Sequence, residues 1–414
     1  MSTVLLLRWA GLWLSLLARV VLSQQALPWT AVHQWSTLAS NITLLRQFND
    51  DAGNISSKWR ILHITDVHIS LGEASDLHAD GTRRMHNAFR SELDKHLEPG
   101  VRRAPAETFR KLIAYASRVG VDAIVLGGDI VNFPHNGSVQ YAVQALQSAV
   151  DSDGTPLPVI YTAGNHDWLV EGSDLSLQDQ RERFRQQVLR PLYHQQRHAR
   201  SRHLHSTQDV GLLELTRHAS TADADIGDFA ERLLVLTIDN SMHEVSPAQA
   251  EFFRRELSRG FPAILVVHVP FMLPGVTPSN TMQILCGDPR YGWDNDRTWN
   301  VERRQRWPRS GTSASTKRFI DDLVHRFGVP QGPLLAVLGG HEHDHRADAL
   351  GASRTLTLSC KLGEPLQCES ATGFEADVPL HEGLVQYVTE AGFRGGYRLI
   401  EVRDARGFRR GVYK

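Results

Sequence analysis

The chain has 414 residues, of which 41% are hydrophobic, so it is long enough to bury one large core. Its 45 basic and 46 acidic side chains leave a formal net charge of −1. Proteins bind nucleic-acid polymers by neutralising many phosphates with a basic surface, so this balance gives no support to a nucleic-acid partner. A small substrate fits the composition better.

The amino terminus has the features of a secretory signal peptide. Residues 9–18 form an uncharged apolar stretch between two arginines, and small residues suited to cleavage follow it. This stretch is too short for a membrane span, which needs about 20 apolar residues. A mitochondrial transit peptide is the alternative, since the first acidic residue is Asp50. We therefore predict a signal peptide over 1–23, a leader segment over 24–56, and secretion.

Three N-x-S/T sequons support secretion, because such sites accept N-glycans in the secretory pathway. The candidate glycan acceptors are Asn41, Asn54 and Asn136. The other end of the chain, 406–414, is a short basic tail without a second apolar segment. Neither a membrane anchor nor a lipid anchor is therefore expected.

Five short apolar runs, suited to buried strands, each end in side chains that bind metals. The runs span 61–65, 123–126, 159–162, 264–267 and 334–338. The side chains that follow them are Asp66 and His68, then Asp129, then Asn165 and His166, then His268, then His341 and His343. In open α/β sheets, sites are built where strands end and loops begin. We therefore expect these side chains to lie together.

Seven of these side chains form a mixed set of carboxylate, amide and imidazole donors: Asp66, His68, Asp129, Asn165, His268, His341 and His343. The set contains no thiolate, and it suits zinc, iron or manganese better than calcium. Seven donors exceed what one tetrahedral zinc needs, whereas two ions that share a carboxylate would use all of them.

Taken singly, each motif has an ordinary structural explanation. Asp-x-His is commonly a polar pair in a loop, and Gly-Asp after a strand is commonly a turn with a helix N-cap. His268 could be a core histidine, and 341–345 could be a solvated His-rich loop. The order and strand context of all five motifs together favour the metal site.

Two helices are predicted from their end signals. The first covers 104–118 and is closed by Gly120. The second begins at the N-cap Ser246, has Pro in its first turn and Gln249 as a capping-box partner, and runs to about Ser258.

Further strands are predicted over 233–238, which ends in Asp239 and Asn240, and within the tail 383–402. The tail has the pattern of two or three strands around glycines, which would complete a second sheet. Cys360 and Cys368 lie eight residues apart and would form a disulfide in an oxidising compartment, with Cys286 left over.

Two ranges have the character of insertions. Range 173–225 includes a basic stretch, 194–205, which is interpreted as a solvated helix end and loop, with a substrate-facing patch as the alternative. Range 272–316 is rich in tryptophan and arginine and broken by Gly and Pro. Long loops of this kind are often functional lids, and a surface flap is the alternative.

The series D-x-H, G-D, G-N-H-D, a later His after a strand, and G-H-x-H resembles the calcineurin-like metallophosphoesterase superfamily over residues 57–405. The resemblance implies an α/β fold, a four-layer α/β/β/α sandwich with two mixed sheets. It also implies two metal ions, one held by Asp66, His68, Asp129 and His343, the other by Asp129, Asn165, His268 and His341. A hydroxide between the ions would attack phosphorus, and His166, as a non-ligand, would protonate the leaving oxygen.

Two positions depart from better-known branches of that superfamily. Asn132 stands where purple acid phosphatases carry a ligating tyrosine, and Asp167 stands where protein Ser/Thr phosphatases carry Glu. Both are candidates for supporting the ligands, and Asn132 would either orient His166 or cap its own turn. We predict a metal-dependent hydrolase of phosphate esters. The alternatives are a phosphodiesterase acting on nucleotides or lipid head groups, and a non-catalytic metal-binding or interaction protein.

Overall fold

The computed structural model describes residues 29–35, 41–48, 57–71, 105–132, 136–168, 189–194, 204–207, 209–218, 230–274, 276, 284–288, 312–329, 332–349, 355–361, 367–370 and 384–404. The predicted signal peptide and basic tail lie outside these residues, as do Asn54 and the centre of the 272–316 insertion. None of the described helices combines the length and apolar character needed to cross a bilayer.

The described strands form two mixed sheets. In chain order they are β1 (Trp29–Trp35), β2 (Asn41–Phe48), β3 (Ser57–Ile64), β4 (Ala123–Leu126), β5 (Val159–Tyr161), β6 (Leu204–Thr207), β7 (Val210–His218), β8 (Ala230–Ile238), β9 (Ala263–Val266), β10 (Leu334–Gly339), β11 (Arg346–Ala349), β12 (Thr355–Lys361), β13 (Gln367–Ser370), β14 (Val385–Val388) and β15 (Arg398–Asp404). The first sheet has the order β1-β2-β15-β3-β4-β5, and the second has the order β13-β12-β11-β14-β10-β9-β8-β7-β6.

The described helices are α1 (Pro105–Val119), α2 (Asn136–Gln147), α3 (Arg190–His194), α4 (Pro247–Leu257) and α5 (Ala314–Asp322). A π-helical turn (Leu323–Phe327) continues α5, and a short 3-10 helix (Gly392–Arg394) precedes β15. Both predicted helices are present within a residue or two of their expected ends. The capping box of α4 is formed as predicted, with Ser246 and Gln249 each bonding the other's backbone N–H.

Three buried clusters separate four layers of structure. Alternate residues of a strand point to opposite faces of its sheet, so Leu126 packs with Phe109 of α1 on one side while Val125 faces the second sheet. Val125 shares the cluster between the sheets with Val266 of β9. The neighbouring Leu265 faces the opposite way, toward α4 and α5. The expected α/β/β/α sandwich with two mixed sheets is therefore confirmed.

The strands that precede the predicted ligands are parallel neighbours. In the first sheet β3 pairs with β4, and β4 with β5, all parallel. In the second sheet β8, β9 and β10 are likewise parallel neighbours. Their carboxyl ends therefore lie along one edge of each sheet, where the sequence placed the site. The sequence predicted β4 with its observed ends, and the other four strands differ by a few residues.

The carboxyl-terminal tail corrects one expectation. Its two strands do not both join the second sheet, since β14 lies there between β11 and β10, whereas β15 lies in the first sheet between β2 and β3. The chain crosses between the sheets at Gly392–Arg394, followed by Gly395 with a left-handed φ of 89°. The apolar alternation of β15 suits the inner face of either sheet, so the pattern alone did not choose between them.

Ranges outside the predicted elements also contribute strands. Within 24–56, β1 and β2 extend the first sheet, and β2 pairs in parallel with β15. Within 173–225, β6 and β7 form an antiparallel pair, and β7 pairs with β8 along its whole length. The described part of the second range is therefore sheet as well as helix and loop. In the β12–β13 pair the backbone register sets Cys360 opposite Cys368, and their disulfide stays a prediction.

Candidate metal centre

Left-handed backbone marks the strand ends that carry the predicted ligands. Five of the seven have φ between 51° and 69°: Asp66, His68, Asp129, His341 and His343. Only a few per cent of non-glycine residues adopt this conformation, although Asp, Asn and His do so more readily than others. Each costs roughly 1 kcal/mol or more, and such residues persist where the surrounding structure holds them. The chain therefore turns sharply as it leaves β3, β4 and β10, within the buried edge of the sandwich.

Four predicted ligands form a first donor set. The Nε2 atoms of His68 and His343 are 3.1 Å apart, and His343 Nε2 lies 3.3 Å from Asp66 Oδ1. His68 Nε2 is 3.9 Å from Asp66 Oδ1 and 3.8 Å from Asp129 Oδ2. All four donors thus come within about one coordination sphere of each other.

A second donor set lies on the other side of Asp129. His268 Nε2 is 3.2 Å from Asp129 Oδ2 and 3.0 Å from Asn165 Oδ1. His341 Nδ1 lies 3.2 Å from the same Asn165 oxygen. Asp129 Oδ2 therefore belongs to both sets, and the structure brings all seven sequence-predicted donors together.

The spacing and chemistry of the donors fit metal ions. Ligand atoms bound to one tetrahedral ion at about 2.0–2.1 Å are separated by roughly 3.3 Å, and the short contacts within each set are 3.0–3.3 Å. Among the described residues, two of the groups able to hold an ion are Asp66 with His68 and His343, and Asp66 with Asp129 and His268. A buried cluster of carboxylates and imidazoles is the expected arrangement around cations that offset its charge.

The surroundings shift the pKa values of the imidazoles in the site in different directions. Burial, together with neighbouring histidines, lowers the pKa of His68 and His341 well below the ordinary 6.5. Burial also opposes the charge on His268, yet the Asp129 carboxylate raises the pKa of His268 to about 10. Against the effect of burial, His268 in turn lowers the pKa of Asp129 well below its ordinary value. Asp129 is therefore the centre of negative charge shared by the two sets.

His166 lies beside the two donor sets and is partly exposed. Its backbone N–H donates to Asp129 Oδ1 at 2.7 Å, and its ring is 4.6 Å from that of His68 in an edge arrangement. Its Nδ1 lies 3.0 Å from Asn132 Oδ1 and 3.2 Å from the Asn132 carbonyl oxygen. Both Asn132 oxygens only accept, so Nδ1 carries the proton of the neutral ring and Nε2 is its acceptor atom. His166 also forms a group with His68 and Asp129 close enough to hold an ion.

Asp167 fixes the loop that carries Asp129. Its Oδ2 accepts from the backbone N–H groups of Asp129 and Gly164 at 2.9 and 2.8 Å, and its Oδ1 accepts from Val131 at 3.0 Å. Burial, and then the charge of Asp129, raise the pKa of Asp167 to about 7, while the backbone donors oppose the rise. The Asp167 carboxyl group thus ties the loops after β4 and β5 together.

Two residues of the tail that were not predicted from the sequence form a wall of the site. The ring of Phe393 meets His68 and His343 edge-on, at centroid distances of 5.8 and 5.3 Å. Arg394 Nη1 donates to the carbonyl oxygen of His343 at 2.9 Å. No local pattern marks these residues, because only the crossover between the sheets brings the tail to β3.

A buried polar network that includes residues of β11 and β14 was also not predicted from the sequence. Arg346 pairs with Asp348 through two hydrogen bonds of 2.8 and 3.0 Å and contacts Glu342, which lies between His341 and His343. Gln386 Nε2 donates to Asp348 Oδ2 at 3.3 Å and to the carbonyl oxygen of Phe271 at 3.1 Å. The loop after β10 is therefore connected to the loop after β9. The Glu-x-x-x-Arg spacing of Glu342 and Arg346 was the one sequence feature that indicated this network.

Comparison with known proteins gives one family. The model for the calcineurin-like phosphoesterases matches residues 60–345 of the chain. No curated protein matches this chain. A dimetal phosphatase from Danio rerio shares 14% identity over 81% of this chain and 88% of that one, with a TM-score of 0.38.

Two further solved structures are similar at lower identity. A purple acid phosphatase from yellow lupin (Lupinus luteus) seeds shares 11% identity over 86% of this chain and 47% of that one, with a TM-score of 0.36. A calcineurin-like phosphoesterase from Bacillus subtilis, YfkN, shares 10% identity over 81% of this chain and 82% of that one, with a TM-score of 0.30.

Proposed function

The chain belongs to the calcineurin-like phosphoesterase family, and from that premise we propose that it hydrolyses phosphate esters with the help of two metal ions. The observation that carries the proposal is the position of Asp129 Oδ2, which lies 3.8 Å from His68 and 3.2 Å from His268, in both donor sets. A single carboxylate oxygen shared by two sets of donors is suited to bridging a pair of ions.

In this proposal each donor set holds one ion, with zinc, iron or manganese as the expected metals. One ion would be held by Asp66, His68, Asp129 and His343, the other by Asp129, Asn165, His268 and His341. Bound there, the ions lower the pKa of water and neutralise charge on the phosphoryl oxygens. Six of these seven side chains, all but His343, are buried, which supports the proposal because low-dielectric surroundings strengthen the charge interactions.

His166 is proposed to supply a proton to the leaving oxygen. Its Nδ1 donates to Asn132, so the proton for the leaving oxygen would be carried on Nε2 of the doubly protonated ring. Burial lowers the pKa of His166, and the Asp129 carboxylate beside it opposes that shift and favours the protonated ring. The backbone bond to Asp129 holds His166 beside the shared carboxylate while the ring stays partly exposed. Asn132 would act through His166 by fixing the orientation of its ring. A protein that only stored metal would gain nothing from this arrangement.

The test of the proposed function is His166→Ala, assayed on an aryl phosphate and by elemental analysis. We expect two metal ions per chain and a loss of about 10²–10⁴-fold in turnover. The matched control is His325→Ala, since His325 is exposed on the π-helical turn beyond α5, away from the donors. Loss of a metal in the His166 variant would make His166 a ligand. Unchanged turnover would overturn the proposed proton transfer.

The class of ester is addressed by comparing p-nitrophenyl phosphate with bis(p-nitrophenyl) phosphate on the metal-loaded protein. We propose a phosphomonoester or phosphodiester of small size, and nucleotides and phosphocholine compounds extend the same screen. Binding of two metal ions without turnover of any ester would favour a non-catalytic protein on this fold.

We also propose that the protein enters the secretory pathway, on the strength of the segment 1–23 and the three sequons. Asn136 is exposed at the start of α2, where a glycan has room. A mature amino terminus near Gln24 and glycan on Asn41, Asn54 or Asn136 are expected. An unprocessed and unglycosylated chain would contradict this proposal.

A further inference from the structure

A sixth strand end reaches the edge where the donors lie. β8 pairs in parallel with β9, the strand that precedes His268, so both strands end on the same side. Residues 239–243 follow β8 directly, and Asn240 and His243 are fully buried. His243 shares the left-handed backbone of the donor residues, with φ of 60°. The chain thus turns after β8 as it does after β3, β4 and β10.

Asn240 makes three hydrogen bonds to the loop that carries His268. Its Oδ1 accepts from the backbone N–H groups of His268 at 3.1 Å and Val269 at 3.0 Å. Its Nδ2 donates to the carbonyl oxygen of Val269 at 2.6 Å. Two N–H donors on one atom fix the orientation of the amide, because the oxygen must face them. The side chain therefore continues, for two residues, the pairing that β8 makes with β9.

The loop itself is held rigid. Ser241 donates to Asp239 Oδ1 through its backbone N–H at 3.0 Å and through its hydroxyl at 2.5 Å. His243 N–H donates to the carbonyl oxygen of Asn240 at 2.7 Å. Asn240 is thus fixed on both sides, and a buried amide in a fixed loop is suited to setting the position of a neighbour.

The same loop contacts a second donor of that set. The ring of His243 packs against the ring of His341 at a centroid distance of 5.4 Å and an angle of 84°. His268 and His341 both lie in the set around Asn165. Asn240 acts on the backbone of one donor, and His243 acts on the ring of the other. The contacts described for both residues are with donors of the set around Asn165.

We propose that Asn240 is a positioning residue for the metal position formed by Asp129, Asn165, His268 and His341, and that it determines the affinity of that position alone. The inference rests on the proposed function for the identity of the ligands. Residues that orient metal ligands typically change metal affinity by about 10–100-fold when they are replaced. Replacing Asn240 should therefore lower the affinity of the protein for one of the two ions and leave its affinity for the other unchanged.

The test is titration of the metal-depleted full-length protein with Zn²⁺, read by calorimetry and by metal stoichiometry. Asn240→Asp keeps the acceptor but sets a carboxylate oxygen against the carbonyl of Val269, and Asn240→Ser keeps only a short hydroxyl. In both variants we expect one Zn²⁺ to bind with about 10–100-fold lower affinity and the other to bind as in the unmodified protein. If one of the two variants does not fold, the titration of the other still tests the inference.

Gln249→Ala is the matched control. Gln249 is a buried amide that donates to the carbonyl oxygen of Asp239 in the same loop and completes the capping box of α4, but it does not touch His268. It should lower the midpoint of thermal unfolding without changing either Zn²⁺ affinity. If the Asn240 variants bind both ions as tightly as the unmodified protein, or weaken both equally, the inference is overturned. If the unmodified protein binds none of Zn²⁺, Mn²⁺ and Fe²⁺, the proposed function fails instead.

Discussion

Gly164→Ala should dismantle the site through a single added methyl group. Gly164 lies three residues after the end of β5, beside the backbone of Asp129. A Cβ built on Gly164 would lie 2.2 Å from Asp129 Oδ1, 2.5 Å from its backbone nitrogen and 2.8 Å from its Cγ. Ordinary van der Waals contact begins at 3.4 Å, so the carboxylate would have to retreat by about 1.2 Å. The backbone nitrogen is held by Asp167 and cannot retreat freely.

The size of the effect follows from that displacement. Sites of this kind work within about 0.5 Å of their productive geometry, and a shift of 1 Å can cost about 10²-fold in rate. We therefore expect turnover to fall by at least about 10²-fold, equivalent to about 2.7 kcal/mol of transition-state stabilisation. The overpacking itself should lower the free energy of unfolding by about 1–3 kcal/mol. Metal content should also fall below two ions per chain, because Asp129 Oδ2 belongs to both donor sets.

The assay measures aryl phosphate hydrolysis, metal stoichiometry and thermal unfolding on the same preparations. Gly339→Ala is the control, since its Cβ would meet Pro270 Cγ at 3.3 Å and require a shift of a few tenths of an ångström. Its turnover and metal content should stay close to those of the unmodified protein. A Gly164→Ala protein with two ions and undiminished turnover would refute the reasoning, because Asp129 would then be free to move without consequence.

Three further predictions concern charge, metal and proton binding. Asp129→Asn should abolish hydrolysis while the chain stays folded, as judged by circular dichroism, and activity equal to the unmodified protein would remove Asp129 from the mechanism. Adding Zn²⁺ to chelator-treated protein at about 100 times its dissociation constant should stabilise the fold by about 2.7 kcal/mol per site, visible as a higher unfolding midpoint. Burial, aided by the charge of Arg398, lowers the pKa of His63 to about 3. The unfolded chain therefore takes up a proton below pH 6.5 that native His63 does not, and stability should fall with pH by up to about 1.4 kcal/mol per unit. His63→Gln should lose that part of the slope between pH 6.5 and 5 in denaturant titrations, and equal slopes would contradict the burial argument.

The donors could be predicted from the sequence because all seven follow five short predicted strands. Asp66 and His268 come directly after short apolar runs, Asp129 follows its run after two glycines, and the parallel order of those runs brings their ends together. Local pattern and a general rule about sheet edges were sufficient for this part of the site. Asn240 also follows a predicted strand, so the rule about sheet edges covers it as well. It was not predicted as part of the site, because an amide after a strand has many ordinary roles in turns.

The supporting residues could not be predicted, since their partners are distant in the chain. Phe393 reaches His68 only because β15 returns to the first sheet beside β3. Gln386 accepts from the backbone N–H of Phe271, 115 positions earlier, and its own neighbours carry only the apolar pattern of β14. Such contacts depend on strand order, and apolar alternation fits either sheet equally well.

At the left-handed turns that follow the strands, the residue that would be best for stability differs from the residue that the proposed activity needs. Glycine adopts such φ values without steric cost, so it relieves strain at a position that function has given to His or Asp. His343 is the clearest case, because its φ is 54° and its side chain, at 20% exposed, is the most exposed of the seven donors, so glycine there loses less packing than at the fully buried ones. A saturation library sorted by cellular abundance should therefore retain glycine at His343, whereas the same library sorted by turnover should discard it. Positions at which glycine is retained in the abundance sort and lost in the turnover sort would identify residues of the site without a bound ligand.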